Sequence, residues 1–285
     1  MNSGVFYSNR NFETVQSFAY IGDNFITDAG FIRRLDNYDA ARDTIIRIGY
    51  TQLFQNFQYR ILPTKEDRLI NFHRLSADVF NVWSNDLGRT TSEIDFGYEA
   101  YLMTTARVRF GFEYNEEFLP FETDILGEEA FDFLPSAWYK TWRGRAEYQS
   151  NGRKFFSYEL EANFGQFYNG TLTQFEAELK YRIQPWGNFE LSAERNIVTL
   201  PDNFGTAKLW LIGPRIAINF SKSIFWTTFL QYNTQSDGFN INSRLQWRYR
   251  PMSDLFLVYT DNYLAENFGL QSRAVVLKFN YWLTI

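Results

Sequence analysis

Charged side chains recur at every second position along several segments of the chain, and these are the residues whose types and spacing could do chemistry. Because alternate residues of a β-strand point to one face, neighbouring strands would bring these charges within reach of one another. Such a face could line a polar channel whose rings of charge select solutes. It could instead carry ladders of ion pairs that hold the interior rigid and nearly closed, and the mixed signs favour this arrangement over a strongly selective pore. The predicted lumen-facing charged residues are Glu93, Asp95, Glu99, Arg107, Arg109, Glu113, Arg143, Arg145, Glu147, Glu159, Glu161, Glu176, Glu178, Lys180, Arg182, Arg244 and Arg248.

A second candidate is the segment 115–136, which interrupts the alternation and contains acidic residues but no Lys or Arg. Interleaved Phe and Leu residues predict an extracellular loop that packs against the protein. It could constrict a channel, bind divalent cations, dock a partner or remain a solvated loop, although its spacing is not that of a calcium-binding helix-loop-helix. The residues of this predicted acidic extracellular loop are Glu116, Glu117, Glu122, Asp124, Glu128, Glu129 and Asp132.

The single histidine, His73, is the residue on which a catalytic hypothesis would rest. It shares parity with Leu75 and Ala77, which predicts that it points away from Ser76 and Asp78. No G-x-S-x-G sequence accompanies it, and nothing distinguishes one carboxylate pair as a general acid and base. We therefore expect no enzymatic activity. The absence of Cys and the lone His also exclude disulfides, Cys-ligated zinc and multi-histidine sites, so no metal and no cofactor are predicted.

Composition narrows the class of protein further. A net charge of −5 argues against nucleic acid as a partner. No segment has the roughly 20 continuous apolar residues of a membrane-spanning helix. Aromatic residues make up 20% of the chain, a content that suits a sheet in which only alternate residues face lipid. Residues 1–12 lack the features of a signal peptide, which predicts a mature form or a piece of a longer protein.

The elements that must position the charged residues are strands, because alternation of apolar and polar residues runs through most of the chain. The stretch 271–285 is the clearest, and it is typical of the closing strand of an outer-membrane barrel. The pattern predicts about fourteen antiparallel strands, an even number as single-chain bacterial barrels usually have. Their predicted bounds are 6–20, 44–60, 69–83, 91–102, 106–114, 137–149, 155–167, 171–183, 189–200, 207–220, 224–235, 239–250, 255–263 and 271–285.

Three local features accompany these strands. Residues 22–43 are rich in Asn and Asp and predict a long polar loop. The apolar parity changes within 44–60, which predicts a β-bulge near Leu53. The sequence Ser-Asn-Gly-Arg at 150–153 predicts a two-residue type I′ hairpin turn, because Asn-Gly supplies the positive φ angles that this turn requires.

The connections give an independent indication of the architecture. Counted back from the last strand, short turns and mostly longer loops alternate along the chain, as the periplasmic turns and extracellular loops of an outer-membrane barrel do. Aromatic residues near strand ends are consistent with interfacial girdles, although a soluble β-sandwich would bury such faces too. These residues are Trp83, Trp138, Trp186, Trp226, Trp247, Tyr249 and Tyr281.

Three stretches carry a resemblance to a known family. They are AGFIRRLDNYDAARD at 29–43, SRLQWRYRPMSDLFLVYTDNY at 243–263 and SRAVVLKFNYWL at 272–283. Together they resemble the carboxy-terminal barrel region of an uncharacterised Bacteroidota outer-membrane family. Its larger members carry an N-terminal family-9-like carbohydrate-binding domain, which this chain lacks together with the earlier barrel strands. The resemblance implies structural roles for Phe31, Arg33, Arg34, Asp36, Pro251, Asp254 and Tyr259.

The expected protein is thus all-β, a single domain over 1–285 that forms an antiparallel transmembrane β-barrel of the bacterial outer membrane, or the C-terminal part of a larger barrel. The expected function is a passive pore or a substrate-uptake accessory, which the resemblance would link to glycans. The alternative is a structural or docking subunit of a larger envelope complex, and a barrel-embedded hydrolase ranks third. Expected partners are outer-membrane lipids, lipopolysaccharide and envelope proteins.

Overall fold

The computed structural model describes residues 2–27, 32, 34–39, 41–64, 69–126, 132–201 and 203–283. The chain divides into two compact units. Unit 1 comprises residues 1–147, 162–173 and 197–207, and unit 2 comprises residues 148–161, 174–196 and 208–285. All helix or strand assignments within the described residues are strands, which confirms the predicted all-β class.

Fifteen of the seventeen described strands form one large antiparallel sheet in the order β1-β2-β5-β6-β7-β8-β9-β10-β11-β12-β13-β14-β15-β16-β17, and β3 pairs with β4 in a separate hairpin. Among the described strands, β1 and β17 have one neighbour each and are the two ends of this order. The bounds are β1 Asn2–Ser8, β2 Phe12–Ile21, β3 Asp36–Asp39, β4 Thr44–Arg47, β5 Tyr50–Ile61, β6 Ile70–Ser84, β7 Gly88–Leu102, β8 Arg107–Phe118, β9 Trp138–Gln149, β10 Phe156–Phe167, β11 Gly170–Ile183, β12 Gly187–Thr199, β13 Thr206–Asn219, β14 Ile224–Asn233, β15 Gly238–Arg250, β16 Ser253–Leu264 and β17 Leu270–Phe279.

The first predicted strand is wrong, because residues 6–20 belong to two strands. The chain reverses between β1 and β2, where the side chain of Asn9 accepts hydrogen bonds from the backbone N–H groups of Asn11 (2.9 Å) and Phe12 (2.8 Å). An Asn side chain that caps the backbone in this way forms a turn without glycine or proline. This hairpin raises the number of strands in the large sheet from the predicted fourteen to fifteen.

The predicted bulge near Leu53 is also wrong. The register of β5 with β6 is unbroken from the pair Tyr50–Ser84 to the pair Ile61–His73. The change of apolar parity arises from a break between β4 and β5, so the predicted strand 44–60 is two strands. At the break, the backbone N–H of Gly49 donates to the carboxylate of Asp23 at 2.5 Å. A Cβ on Gly49 would lie 2.3 Å from that oxygen, so the close approach requires glycine.

The predicted polar loop 22–43 contains a strand, because β3 pairs with β4 from Asp36–Arg47 to Asp39–Thr44. The predicted two-residue turn at 150–153 is wrong as well: β9 and β10 are separated by six residues, 150–155. The hydroxyl of Ser150 accepts the N–H of Tyr158 at 2.7 Å, and the carbonyl of Asn151 accepts the N–H of Lys154 at 3.2 Å. These bonds close a wider loop in which neither Asn151 nor Gly152 has a positive φ.

The other predicted strands coincide with observed ones, with small changes at their ends. The largest extension is in β8, which continues to Phe118 because its ladder with β7 reaches the pair Thr91–Glu117. The last strand, β17, ends at Phe279, short of the predicted end at 285. Period-two alternation therefore located most elements, and pairing with neighbours determined where they stop.

The two faces of the strands have opposite chemistry and an inverted pattern of burial. In unit 1, one cross-strand row joins Phe57, Ala77, Phe96 and Phe112. Phe96 on this apolar face is 55% exposed, whereas the carboxylates of the opposite face are covered. Apolar side chains that are fully buried form two small clusters in unit 1, around Leu35, Tyr50 and Val82 and around Leu119, Leu134 and Tyr139. The extensive apolar face of unit 1 is thus exposed.

Gly165 in β10 is a position where the sheet cannot accept a side chain. Its φ is +154°, and a Cβ would lie 2.2 Å from the carbonyl oxygen of Trp142 in β9. We expect Gly165→Ala to lower the free energy of unfolding by about 2–4 kcal/mol, because backbone must move and an unfavourable conformation must be retained. Denaturant unfolding followed by tryptophan fluorescence measures the change. Gly152→Ala is the control, since a Cβ there meets nothing within 4 Å; equal stabilities of the two variants would contradict the expectation.

Candidate functional site

The charged face of unit 1 is centred on two buried carboxylates, Glu99 and Glu147, which are 4% and 5% exposed. Glu99 in β7 lies directly between Arg74 of β6 and Arg109 of β8, because the registers pair it with both residues. Its Oε2 lies 2.5 Å from Nη2 of Arg74, and its Oε1 lies 3.6 Å from Nε of Arg109. Strand pairing therefore converts the sequence pattern into a continuous ion-pair ladder.

Glu147 of β9 extends this ladder to a fourth strand. It forms an ion pair with Arg107, and its Oε2 lies 3.8 Å from Nη1 of Arg109. The hydroxyl of Tyr101 donates to Glu99 at 2.6 Å and accepts from Arg74 at 2.6 Å. Three guanidinium groups thus surround two carboxylates and a phenol. Arg74 and Arg107 hydrogen-bond to the carboxylates, whereas Arg109 contacts them only at 3.6 and 3.8 Å.

A second group of charges lies further along the same face of unit 1. Arg143 of β9 forms an ion pair with Glu113 of β8, and Glu113 is paired across the ladder with Asp95. Asp95 in turn lies opposite Asp78, which accepts a hydrogen bond from Asn56 at 2.5 Å. Glu93 lies one alternate position from Asp95, and Arg145 donates to Asn163 at 3.1 Å. The cross-strand row of Asp78, Asp95 and Glu113 is therefore acidic, and Arg143 borders it through its ion pair with Glu113.

The charged face of unit 2 is more acidic and encloses two cavities. One has a volume of about 230 Å³ and is lined by Glu159, Glu161, Glu176, Glu178 and Glu194, together with smaller side chains. The other, of about 270 Å³, adds cationic groups, and its charged lining residues are Glu159, Glu178, Lys180, Arg182 and Glu190. The sequence pattern placed Glu159, Glu161, Glu176, Glu178, Lys180 and Arg182 on one face, whereas Glu190 and Glu194 of β12 were missed.

The contacts of these carboxylates in unit 2 are weaker than those in unit 1. Glu178 forms an ion pair of 2.8 Å with Lys180, and both side chains are about 40% exposed. Glu194 accepts from Gln174 (3.1 Å) and from Asn196 (2.7 Å), which are neutral amides. Glu178 and Glu194 are therefore less tightly paired than the buried carboxylates Glu99 and Glu147 of unit 1.

The three remaining predicted arginines differ in position: Arg182 lines the 270 Å³ cavity, whereas Arg244 and Arg248 line neither cavity. Arg182 donates to the backbone carbonyl of Lys154 at 2.8 Å and so closes the turn between β9 and β10. Arg244 is exposed and lies opposite Val258. Arg248 forms an ion pair of 3.3 Å with Asp254.

The predicted acidic loop is shorter than expected, because Glu116 and Glu117 lie in β8. Glu117 points to the charged face, where Arg34 lies at 3.7 Å and the hydroxyl of Tyr168 donates at 3.3 Å. Burial, followed by the charge of Glu117, raises the pKa of Tyr168 above its usual range. Glu116 points to the apolar face, a placement that the sequence pattern beyond residue 114 did not reveal.

The described remainder of the segment 115–136 packs within unit 1, as its interleaved Phe and Leu residues predicted. Thr123 and Leu134 exchange backbone hydrogen bonds of 3.0 and 2.9 Å, and Leu134 is buried with Leu119. The backbone N–H of Asp132 donates to the carbonyl of Asn203. Glu122 and Asp124 lie in the described part of the segment, on either side of Thr123, whereas Glu128 and Glu129 lie outside the described residues.

His73 points to the apolar face, as its parity predicted. Its Nδ1 lies 2.8 Å from the hydroxyl of Tyr98, and the two rings stack at a centroid distance of 5.8 Å. Asp78 is on the opposite face, where it bonds Asn56. His73 therefore contacts an aromatic side chain on the apolar face, away from Asp78.

A polar cluster on the apolar face of unit 2 was missed by the sequence analysis. Asp261 of β16 is completely buried and receives two hydrogen bonds of 2.7 Å from Arg273 of β17. The hydroxyls of Tyr259 (2.5 Å) and Tyr263 also donate to it. In the sequence, Asp261 stands between Tyr259 and Tyr263 at alternate positions, and Arg273 directly precedes the apolar series that begins at Val275. Only the register of β16 with β17 shows that the two form a pair.

Several residues singled out by the family resemblance have structural contacts. Arg34 has a φ of 68° and donates to Thr91 at 2.8 Å, and Asp36 forms an ion pair of 3.0 Å with Arg47. Asp254 and Tyr259 make the contacts given above, and Pro251 follows the last residue of β15. Phe31 and Arg33 lie outside the described residues.

Comparisons with family models, curated protein sequences and solved structures give no match to this chain. The resemblance to the Bacteroidota barrel family therefore stays a prediction. Within the described ranges, no helix is long and apolar enough to cross a membrane. The same ranges contain no group of three or more His, Asp or Glu side chains arranged to hold a metal ion.

Proposed function

We propose that this chain forms a β-barrel of the bacterial outer membrane and acts as a narrow passive pore. The observation that carries the proposal is the inverted burial: Phe96 and Phe110 are 55% and 53% exposed on one face, while Glu99 and Glu147 are buried on the other. A soluble domain buries its large apolar side chains, and a contiguous apolar surface of this extent needs a cover. A bilayer supplies such a cover, and the charged face would then line the barrel interior.

The dimensions of the apolar face of unit 1 support a membrane location. On β6, His73 near one end and Trp83 near the other lie ten residues apart on the same face. At about 3.3 Å per residue and a strand tilt of about 40°, this separation corresponds to a height of about 25 Å. Tyr98 lies beside His73 and Trp138 lies near Trp83. Aromatic residues thus border an apolar band of the height found in outer-membrane barrels.

The cavities of unit 2 favour a pore over a fully plugged barrel. Their lining includes Glu178, whose ion pair with Lys180 is about 40% exposed, and Glu194, which accepts hydrogen bonds from neutral amides, so ions could exchange at these carboxylates. We expect the folded protein to give steady openings in planar lipid bilayers with a preference for cations. Neutralising two of these residues, Glu178→Gln together with Glu194→Gln, should reduce the cation preference measured as a reversal potential in a salt gradient.

The control variant is Glu266→Gln, which removes one charge from an exposed residue between β16 and β17. It should leave the reversal potential close to that of the unmodified protein, because salt screens exposed charges over about 8–10 Å. A folded protein that inserts into bilayers but gives no openings would contradict the pore.

The second candidate function is a structural or docking barrel within an envelope complex, and the ion-pair ladder of unit 1 is the observation that favours it. Arg107 and Arg109 contact Glu99 and Glu147 across β7, β8 and β9, so ion pairs link the strands in this part of the face. A silent, folded barrel that copurifies with defined envelope proteins would support this candidate in place of the pore.

A further inference from the structure

The apolar face of unit 1 carries a group of charges at the end of β6–β9 that adjoins the predicted extracellular loops. Arg89 of β7 lies opposite Trp83 of β6, Glu116 lies in β8 and Lys140 lies in β9. Glu116 has the same parity as Phe110 and Phe112, and Lys140 lies between the exposed Trp138 and Trp142. The charges are therefore on the outer, apolar side of the strands and not on the charged face.

One carboxylate holds the two cations in place. Oε2 of Glu116 lies 2.8 Å from Nη2 of Arg89, and Oε1 lies 3.1 Å from Nζ of Lys140. The hydroxyl of Tyr114 donates to Oε1 at 2.9 Å. Glu116 is 15% exposed, whereas Arg89 and Lys140 are 44% and 63% exposed. Two cations and one anion leave a net positive charge, and the cations are the accessible groups.

An aromatic pair, Trp138 and Phe118, lies beside Arg89. The guanidinium carbon of Arg89 lies 5.8 Å from the ring centroid of Trp138, and Phe118 packs on the same tryptophan at 5.5 Å. Trp rings prefer the level of lipid headgroups, where one part of the ring is apolar and the N–H is hydrated. The cations are thus held at the border between an apolar face and water.

A groove on the same face begins about four residues along the strands from the cations, on the side away from the predicted extracellular loops. It has a volume of about 570 Å³ and its lining includes Phe57, Ala77, Phe96 and Phe112. Ala77 gives the groove its depth, because it stands between Phe57 and Phe96 in the cross-strand row. Along β8, the distance from Glu116 to Phe112 is roughly 13 Å at about 3.3 Å per residue.

We propose that Arg89 and Lys140 bind the phosphate group of a membrane lipid and that the groove beside Ala77 receives one of its acyl chains. The inference rests on the membrane location proposed above. Charge complementarity selects the headgroup, because guanidinium and ammonium groups together provide several donors for phosphate oxygens. The apolar groove selects a lipid over free phosphate. The lipid that combines phosphate with acyl chains in the outer leaflet of an outer membrane is lipopolysaccharide, through its lipid A part.

The test uses the purified, detergent-solubilised full chain and native mass spectrometry. The probes are phosphorylated lipid A, dephosphorylated lipid A and inorganic phosphate. We expect phosphorylated lipid A to bind at least about tenfold more tightly than the dephosphorylated form, as charge-assisted hydrogen bonds to phosphate imply. The double variant Arg89→Gln and Lys140→Gln should lose this preference. Ala77→Phe should weaken the binding of both forms of lipid A, because the larger side chain fills the groove.

Lys222→Gln is the matched control, since it removes one exposed positive charge from the short turn between β13 and β14. It should retain the full preference. Equal binding of the two lipids, retention of the preference in the double variant, or equally tight binding of inorganic phosphate would each overturn the proposal. Flotation with lipid vesicles distinguishes failure of the lipid site from failure of the membrane location. A folded protein that does not float with the vesicles overturns the membrane location as well. A protein that floats but does not prefer phosphorylated lipid A overturns the lipid site alone.

Discussion

Glu99→Gln should lower the free energy of unfolding by about 3–5 kcal/mol, because removing one partner of a buried ion pair leaves an uncompensated charge. Glu99 is almost completely buried and lies within 4.0 Å of Arg74, Arg107 and Arg109. Glutamine keeps the size of the side chain but offers one acceptor oxygen and no charge. Guanidinium-induced unfolding in detergent micelles, followed by tryptophan fluorescence, measures the difference.

Glu178→Gln is the matched control for this experiment. Its ion pair with Lys180 is about 40% exposed on both sides, and exposed pairs contribute about 0–1 kcal/mol. We therefore expect a small change in this variant. If Glu99→Gln were no more destabilising than Glu178→Gln, the three arginines would have to be hydrated in the folded protein, and the ladder would not stabilise unit 1.

Asp261→Asn should release β17 from β16. The Asp261 carboxylate accepts two hydrogen bonds from Arg273 and one each from Tyr259 and Tyr263, and an amide can replace only part of this set. Val258 and Val276 lie opposite each other in the β16–β17 ladder. Since the chain has no native cysteine, a Val258→Cys and Val276→Cys pair can report on this contact through a short thiol crosslinker. We expect a high crosslinking yield when Asp261 is retained and a several-fold lower yield when the Asp261→Asn substitution is added.

Asp254→Asn provides the control, because it changes an acid in the same strand whose side chain bonds Gln246 and Arg248 of β15. The crosslinking yield should be preserved in this variant. An unchanged yield in Asp261→Asn would mean that the backbone ladder alone keeps β17 in register.

The sequence predicted the all-β class and most strand positions because alternation is a local property of each strand. It could not predict the ends of strands that depend on partners. β8 extends past Tyr114 only because β7 offers a ladder as far as Thr91, so Glu116 was assigned to a loop. The Asn9 turn was missed for a related reason: one side chain replaces the glycine or proline that usually marks a reversal.

The candidate sites, like the strands, could be predicted from the sequence only in part. Alternation placed Glu99, Arg107 and Arg109 on one face, and their registers decided that they form a shared ladder. Asp261 and Arg273 are twelve positions apart and look like isolated exceptions on an apolar face. Only the register of β16 with β17 turns them into a bidentate pair.

The outer edge of β17 has a consequence for the proposed membrane location. This strand has a single described neighbour, and all of its residues are exposed. In an edge strand, every second residue directs its backbone N–H and C=O away from the sheet. Hydrocarbon offers no hydrogen-bond partners, and each unsatisfied group would cost several kcal/mol. A bilayer around Val275 and Leu277 therefore requires another strand to be hydrogen-bonded along this edge, and the proposed barrel is complete only when that strand is in place.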